Sequence, residues 1–179
     1  ARLSHHAVHR DSGVTMARDF DGTDDAITFG SDASIDSFSS QTVAFYFVVD
    51  ALTSVRMFLN KGTNTAPKWA VRLLSTGLVV WARFWNTVVV RWQADTTTVA
   101  TGTIYHVVIT YSDSAATNDP VIVINGVTQS LTQLDVDGTA PVDSDAAETL
   151  RMGTQSDNSQ DLDGRILALC YDNTLWDAA

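Results

Sequence analysis

The stretch DFDGTDDAITFG, Asp19 to Gly30, gathers four aspartates around one glycine, just ahead of a short apolar run. Carboxylates so spaced can ligate calcium, work as an acid–base pair, or accept hydrogen bonds from the N–H groups of a turn. Calcium takes about six to eight oxygen ligands brought together in space. Asp24 and Asp25 would join Asp161 and Asp163 in such a site if the two ends of the chain paired. The stretch has no glutamate at its last position, so it is not an EF-hand loop. In the turn reading, Phe20 packs inward, Gly22 permits the bend, and Asp21, Asp24 and Asp25 accept from backbone N–H groups. Both readings stay open, since a motif without its spatial context is only a hypothesis.

Acid–base chemistry on a sugar needs a carboxyl pair, about 5 Å apart in retaining glycosidases and further apart in inverting ones. Among 21 acidic residues Glu148 is the only glutamate. No central strand carries two acids on one face, as Asp50 and Asp95 fall at strand ends. A glycoside hydrolase built on Glu148 is therefore the distant alternative. No Gly-x-Ser-x-Gly, P-loop, Cys-x-x-Cys or His-Glu-x-x-His occurs. The expectation is a chain without catalytic machinery and with no cofactor beyond a possible calcium ion.

Binding chemistry is better represented. VVWARFWNTVVVRWQ carries Trp81, Arg83, Trp85, Arg91 and Trp92, and strand alternation puts Trp81, Arg83 and Trp85 on one face. If Asn86–Thr87 closes a hairpin, the two strands form a mixed ring-and-guanidinium patch suited to a sugar or a protein. The competing account is core packing with an arginine stem laid over a ring, favoured because large aromatics are usually buried in sandwiches. His5, His6 and His9 lack an acidic or cysteine partner and make a weak metal signal. His106 reads as structural, and Cys170, alternating with Ile166 and Ala168, as a small buried hydrophobe.

The elements that must position these groups are strands. Hydrophobic residues make up 45% of the 179, lysine occurs only at Lys61 and Lys68, and Val, Ile and Thr abound. Aspartate favours turns and caps over helix interiors, so the composition points to β structure. Strands are expected at Ala26–Gly30, Thr42–Val49, Val55–Lys61, Lys68–Leu74, Leu78–Trp85, Val88–Ala94, Ile104–Ser112, Val121–Gly126, Leu150–Thr154 and Asp163–Asp172. Breaks such as NKGTNTAP, SDSAATNDP and VDGTAPVDSD separate them. Many short strands with regular turns, several apolar on both faces, predict an all-β antiparallel jelly-roll sandwich.

Of the formal charge of −10, residues 1–18 hold +2 and the remainder −12. The acidic body makes nucleic acid a poor partner. No apolar run is long enough to span a bilayer, so no membrane insertion is expected. ARLSHHAVHRDSGVT has no apolar core and is not read as a signal peptide. The division is an N-terminal extended arm, 1–18, and one domain, 19–179. Charge asymmetry makes the arm, through Arg2, His5, His6, His9 and Arg10, a candidate assembly element reaching an acidic neighbour in a homo-oligomer. A single cysteine precludes an internal disulfide.

Three stretches in order resemble laminin G-like domains of the concanavalin A-like lectin/glucanase superfamily: FDGTDDAITFG, TIYHVVITYSDS…PVIVINGV, and LRMGTQSDNSQDLDGRILALCYDNTLW. Together they cover about Asp19 to Trp176, with Ile104 standing where that family usually has Trp. The resemblance implies a jelly roll of two curved sheets with the first and last strands side by side, and a rim where some relatives bind calcium. Such domains occur in secreted and cell-surface proteins and in structural proteins of tailed phages, and the beginning MARDFDGTDD is most similar to the phage members. The expected role is a structural or adhesive module on a virion surface or in an extracellular setting, such as a capsid decoration or fibre subunit, contacting protein neighbours and possibly a glycan. The alternative is a stand-alone carbohydrate-binding module.

Overall fold

A computed structural model describes residues 17–63, 67–85, 88–157 and 159–176. The strands are β1 (Arg18–Asp21), β2 (Ile27–Gly30), β3 (Ser40–Val49), β4 (Arg56–Gly62), β5 (Pro67–Leu73), β6 (Val79–Trp85) and β7 (Val88–Ala94). They continue with β8 (Tyr105–Ser112), β9 (Val121–Ile124), β10 (Val127–Thr128), β11 (Leu131–Gln133), β12 (Leu150–Met152) and β13 (Asp163–Asp172). A six-stranded back sheet runs β1-β13-β3-β8-β9-β10, and a seven-stranded front sheet runs β11-β7-β6-β5-β4-β12-β2. Every pairing between these strands is antiparallel. The fold is the expected all-β jelly-roll sandwich, and all ten expected strands are present within two residues at each end.

The core lies between the sheets. Val43, Phe45, Phe47 and Val49 of β3 face Trp69, Val71 and Leu73 of β5 and Trp81 of β6, all essentially inaccessible. Each such side chain removed from water contributes about 1.5–3 kcal/mol, and β-branched and aromatic residues suit the pleat. Phe45, Phe47 and Phe58 meet at ring centroid separations of 5.6, 5.1 and 4.5 Å, tying β3 to β4 across the layers.

The two ends of the chain do lie side by side, but with a different register of roles. The strand that pairs with β13 is β1, in which Arg18↔Ile166 and Asp21↔Asp163 are partners. The expected first strand, β2, pairs instead with β12 in the front sheet. DFD is thus a strand in its own right, with Phe20 buried as expected. Gly22, at φ +78°, turns the chain from one sheet to the other, where a Cβ would come within 2.9 Å of the Asp163 Cβ. Gly153, at φ +91°, lies flat under the Phe20 ring, which a Cβ would penetrate at 2.1 Å. Ile27 and Phe29 still face Ile166 and Leu169 across a cleft of about 240 Å³ at the sandwich seam.

A bulge between Ile166 and Ala168 resets the alternation of β13. Ile166 points to the core, while Cys170 pairs with Ala44 on the outer side of the back sheet and is half-buried. The extra residue overturns the simple period-two expectation that placed Cys170 inside.

Candidate functional site

The two faces of the front sheet must be separated before any site can be drawn, because directly opposed residues in an antiparallel pair share a face. On the inner face, Trp69, Arg83 and Val90 lie in one cross-strand row, and Val71, Trp81 and Trp92 in the next. On the outer face one row reads Arg151, Asn60, Ala70, Ala82, Arg91, and the next Met57, Arg72, Val80, Gln93.

This arrangement divides the proposed aromatic patch. Trp81, Arg83 and Trp85 do share one face, as alternation required, but that face is the interior, where none is more than 2% exposed. Trp92 is the direct partner of Trp81 and is buried with it. Arg91 alone points outward. The tryptophans are core: Trp81 packs on Trp69 and Tyr111 at 5.5 and 5.8 Å, and Trp92 on Tyr111 at 5.5 Å. Their ring N–H groups are largely used inside, Trp85 donating to the Tyr111 hydroxyl at 3.1 Å, Trp92 to Asp119 at 2.7 Å and Trp69 to Asp145 at 3.3 Å. Burial lifts the Tyr111 hydroxyl to about 12, so it stays a neutral donor and acceptor. Arg83 forks onto Asp113, with Nε at 2.9 Å from Oδ1 and a second contact from Nη2 to Oδ2. Burial pushes the Asp113 carboxyl up, and the Arg83 guanidinium pulls it back.

The four aspartates considered for calcium are not assembled into a site. Asp25 is paired with Arg18, Asp163 lies 4.0 Å from Arg56, and the buried Asp161 accepts from the Thr154 hydroxyl. Asp24 is exposed in the turn. Among the described residues no group of three or more His, Cys, Asp or Glu gathers as a cation site. The donor set does not fit calcium, because its oxygens are committed to cations and donors of the chain itself. The turn reading accounts for the motif: Asp21 accepts from the Thr23 N–H at 2.9 Å, and Asp25 from the Asp21 N–H at 3.1 Å. The arm residues Arg2, His5, His6, His9 and Arg10 lie outside the described residues. His106 stacks on Tyr46 at 4.3 Å on the outer side of the back sheet.

The outer face of the front sheet holds groups that the sequence did not single out. Ala70 and Ala82 lie at its centre, both fully buried, with Met57 and Val89 packed beside them in a small cluster separate from the main core. Asn60 stands next to that cluster, 1% exposed, and neither its amide nitrogen nor its amide oxygen has a hydrogen-bond partner among the described residues. Arg72, diagonal to Asn60, has a buried Nε without a partner. Asp135 serves Arg91 through two bonds of 2.8 and 2.7 Å, which hold its carboxyl below the ordinary range. The only sequence signal for this set was an Arg inside KWAVRLL and an Asn inside VRMFLNK, each at a strand position that alternation leaves ambiguous.

A two-layer antiparallel sandwich of a six-stranded and a seven-stranded sheet is a lectin-type architecture. Residues 21–169 match the laminin G family model of the Concanavalin A-like lectin/glucanases superfamily, and the chain belongs to that family. Solved structures share the fold at low identity. Domains LG4-5 of the mouse laminin α1 chain align with a TM-score of 0.66 and 12% identity, over 99% of this chain and 48% of that one. The CBM40 domain of the Ruminococcus gnavus IT-sialidase, solved bound to α2,3-sialyllactose, aligns at 0.60 and 11%, over 93% and 96%. The native heptameric SAP-like pentraxin from Limulus polyphemus aligns at 0.61 and 13%, over 88% and 80%. No curated protein sequence matches the chain. No helix among the described residues is long and apolar enough to cross a membrane.

Proposed function

We propose that the domain is a non-catalytic carbohydrate-recognition module that uses the outer face of its front sheet. The observation that carries this reading is Asn60, an amide removed from water with donor and acceptor both unspent among the described residues, beside two buried alanines. Leaving such a group unpaired costs about 1–3 kcal/mol, a cost that a ligand with matching groups removes. A primary amide offers a donor and an acceptor side by side, the complement of neighbouring sugar hydroxyls. Neighbours in fold include a module bound to sialyllactose, which adds weight to a glycan over other small ligands. The outer rows of the front sheet carry no Asp or Glu, so they supply no carboxyl pair for hydrolysis. A glycan array probed with the purified protein, with and without calcium, tests the reading. Saturable binding that falls at least about tenfold in Asn60→Ala is expected. Absence of saturable binding to any glycan overturns it.

The setting that best suits such a module is display on the exterior of a virion or cell, as a decoration or fibre subunit that assembles with copies of itself. The support is the charge asymmetry of the sequence, −12 outside the first 18 residues against +2 within them. Light scattering after size exclusion, on the full chain and on a chain lacking those residues, decides the assembly. Two equal monomeric masses remove it.

A further inference from the structure

We propose that the cleft at the sandwich seam is a strand-docking groove whose occupant is the chain's own segment Gly13–Met16, added beside β13 as a continuation of β1. The inference does not depend on the glycan reading and goes beyond it. It starts from an edge that the described strands leave bare. β13 runs for 10 residues, Asp163–Asp172. On one side β3 pairs with it from Gly164 to Asp172. On the other side β1 pairs only as far as Ile166. From Leu167 to Asp172 no described strand takes up the backbone groups on that side. Natural edges are commonly blunted by charge or proline, but Leu167–Tyr171 reads LALCY and has neither. Alongside this edge lies the apolar cleft of about 240 Å³, lined among others by Ile27, Phe29, Met152, Leu167 and Leu169. Phe29 is 43% exposed there.

Where the described chain begins decides what fits the groove. Its first residue is Ala17, joined to Arg18, which itself lines the cleft. Residues 13–16 are therefore tethered at the mouth of the groove, and their docking closes no loop. Their alternation suits the site. Phe20 faces inward at 3% exposure with the Arg18 guanidinium over its ring at 5.7 Å, while Asp19 is exposed. Carried back past Arg18, the two-residue repeat puts Met16 and Val14 on the cleft side and Thr15 and Ala17 outside. The bulge in β13 then fixes the register. Opposed residues of an antiparallel pair share a face. Leu169 and Tyr171 pack on the core, whereas Ala168 is exposed and Cys170 lies on the outer side. Ala17 must oppose the Leu167–Ala168 step, after which Met16 meets Leu169, Thr15 meets Cys170 and Val14 meets Tyr171. Methionine is well suited to an irregular apolar gap. The docked segment is then the root of the assembly arm, with Arg2, His5, His6, His9 and Arg10 beyond it.

Thr15→Cys in the full chain tests this register, because it sets a thiol opposite Cys170. Opposed Cα atoms lie about 4.5–5.5 Å apart, inside the disulfide range of about 4.4–6.8 Å. With oxidised glutathione as the oxidant, the two thiols are expected to close a disulfide within one chain, the glutathione leaving reduced. It is read as a monomer whose peptide map links the two segments. Val14→Cys, which faces the core, is expected to stay reduced under the same conditions. Melting curves confirm that both variants are folded. Hydrogen exchange gives a second reading: the outward amides of Leu167–Asp172 are expected to exchange at least about tenfold faster in a chain that begins at Ala17 than in the full chain. A disulfide-linked dimer gives the groove to a second copy and overturns the assignment. Equal cross-linking at both positions, no cross-link at Thr15→Cys, or exchange unchanged by removal of residues 1–16 also overturns it.

Discussion

The inner and outer faces of the front sheet carry the same kinds of residue to opposite ends. Arg83 and Arg91 are partners of adjacent rows on neighbouring strands, each held by one aspartate through two bonds. Arg83 and Asp113 expose only 2% and 4% of their side chains, Arg91 and Asp135 39% and 20%. Inside, burial raises the aspartate; outside, the arginine lowers it. The inner charges are closed among themselves in the core. The outer face keeps the Arg72 Nε and the Asn60 amide without a hydrogen-bond partner among the described residues. An ion pair on this sheet is therefore structural or available according to its side, not its residue types.

The largest effect is expected from opening the inner pair. Arg83→Ala strands the Asp113 carboxylate in the core and should cost about 3–5 kcal/mol in urea unfolding. Arg91→Ala, half in solvent, should cost about 1 kcal/mol or less. Equal losses in the two variants would erase the distinction between the faces. Next in size, Asn60→Leu removes a buried amide that has no partner and should stabilise the protein by about 1–3 kcal/mol, while eliminating glycan binding. A destabilised Asn60→Leu protein would mean that the amide is satisfied in solution.

The smallest effect is in the pH dependence. Asp135 has its folded-state affinity for protons lowered by Arg91. Its stabilising contribution is thus fully present above the ordinary carboxyl value of 3.8 and disappears as pH falls through the lower folded value. Asp113 is shifted the other way: it favours the fold below 3.8, and that contribution is lost as pH rises through its raised folded value. Urea midpoints of wild type and Asp135→Asn should differ by a constant amount near neutrality and converge as pH falls below the ordinary carboxyl value of 3.8. A gap that persists into acid would exclude the Arg91 pairing as its origin.

Most of the fold was legible because its signals are local. Long runs such as TVAFYFVV and IYHVVITYS, bounded by Gly, Asn and Asp, admit no competing element. The strands missed, β1, β10 and β11, have four, two and three residues and each lies at the outer end of its sheet. Strands so short carry no period of their own and exist because a longer neighbour, β13, β9 or β7, offers free backbone groups. The bulge in β13 was equally invisible, since one extra residue leaves no mark on composition yet moves Cys170 to the other side. The aromatic segment left two readings open for a related reason, with core packing the favoured one: WARFW announces a face rich in rings and charge but not the side of the sheet that face occupies. The groups now singled out, Asn60 and Arg72, sat in strands correctly expected but were read as ordinary polar interruptions.

By itself the sequence determined that this chain is built of antiparallel strands, where most of them begin and end, and which residues of each strand must travel together. Those facts follow from turn chemistry and the two-residue repeat of the pleat, which act over a few bonds. Only the tertiary structure decided which of the two faces of each strand is dry and which aspartate closes which arginine. Alternation is symmetric between inside and outside, and that symmetry is broken only when two sheets pack and water leaves the space between them.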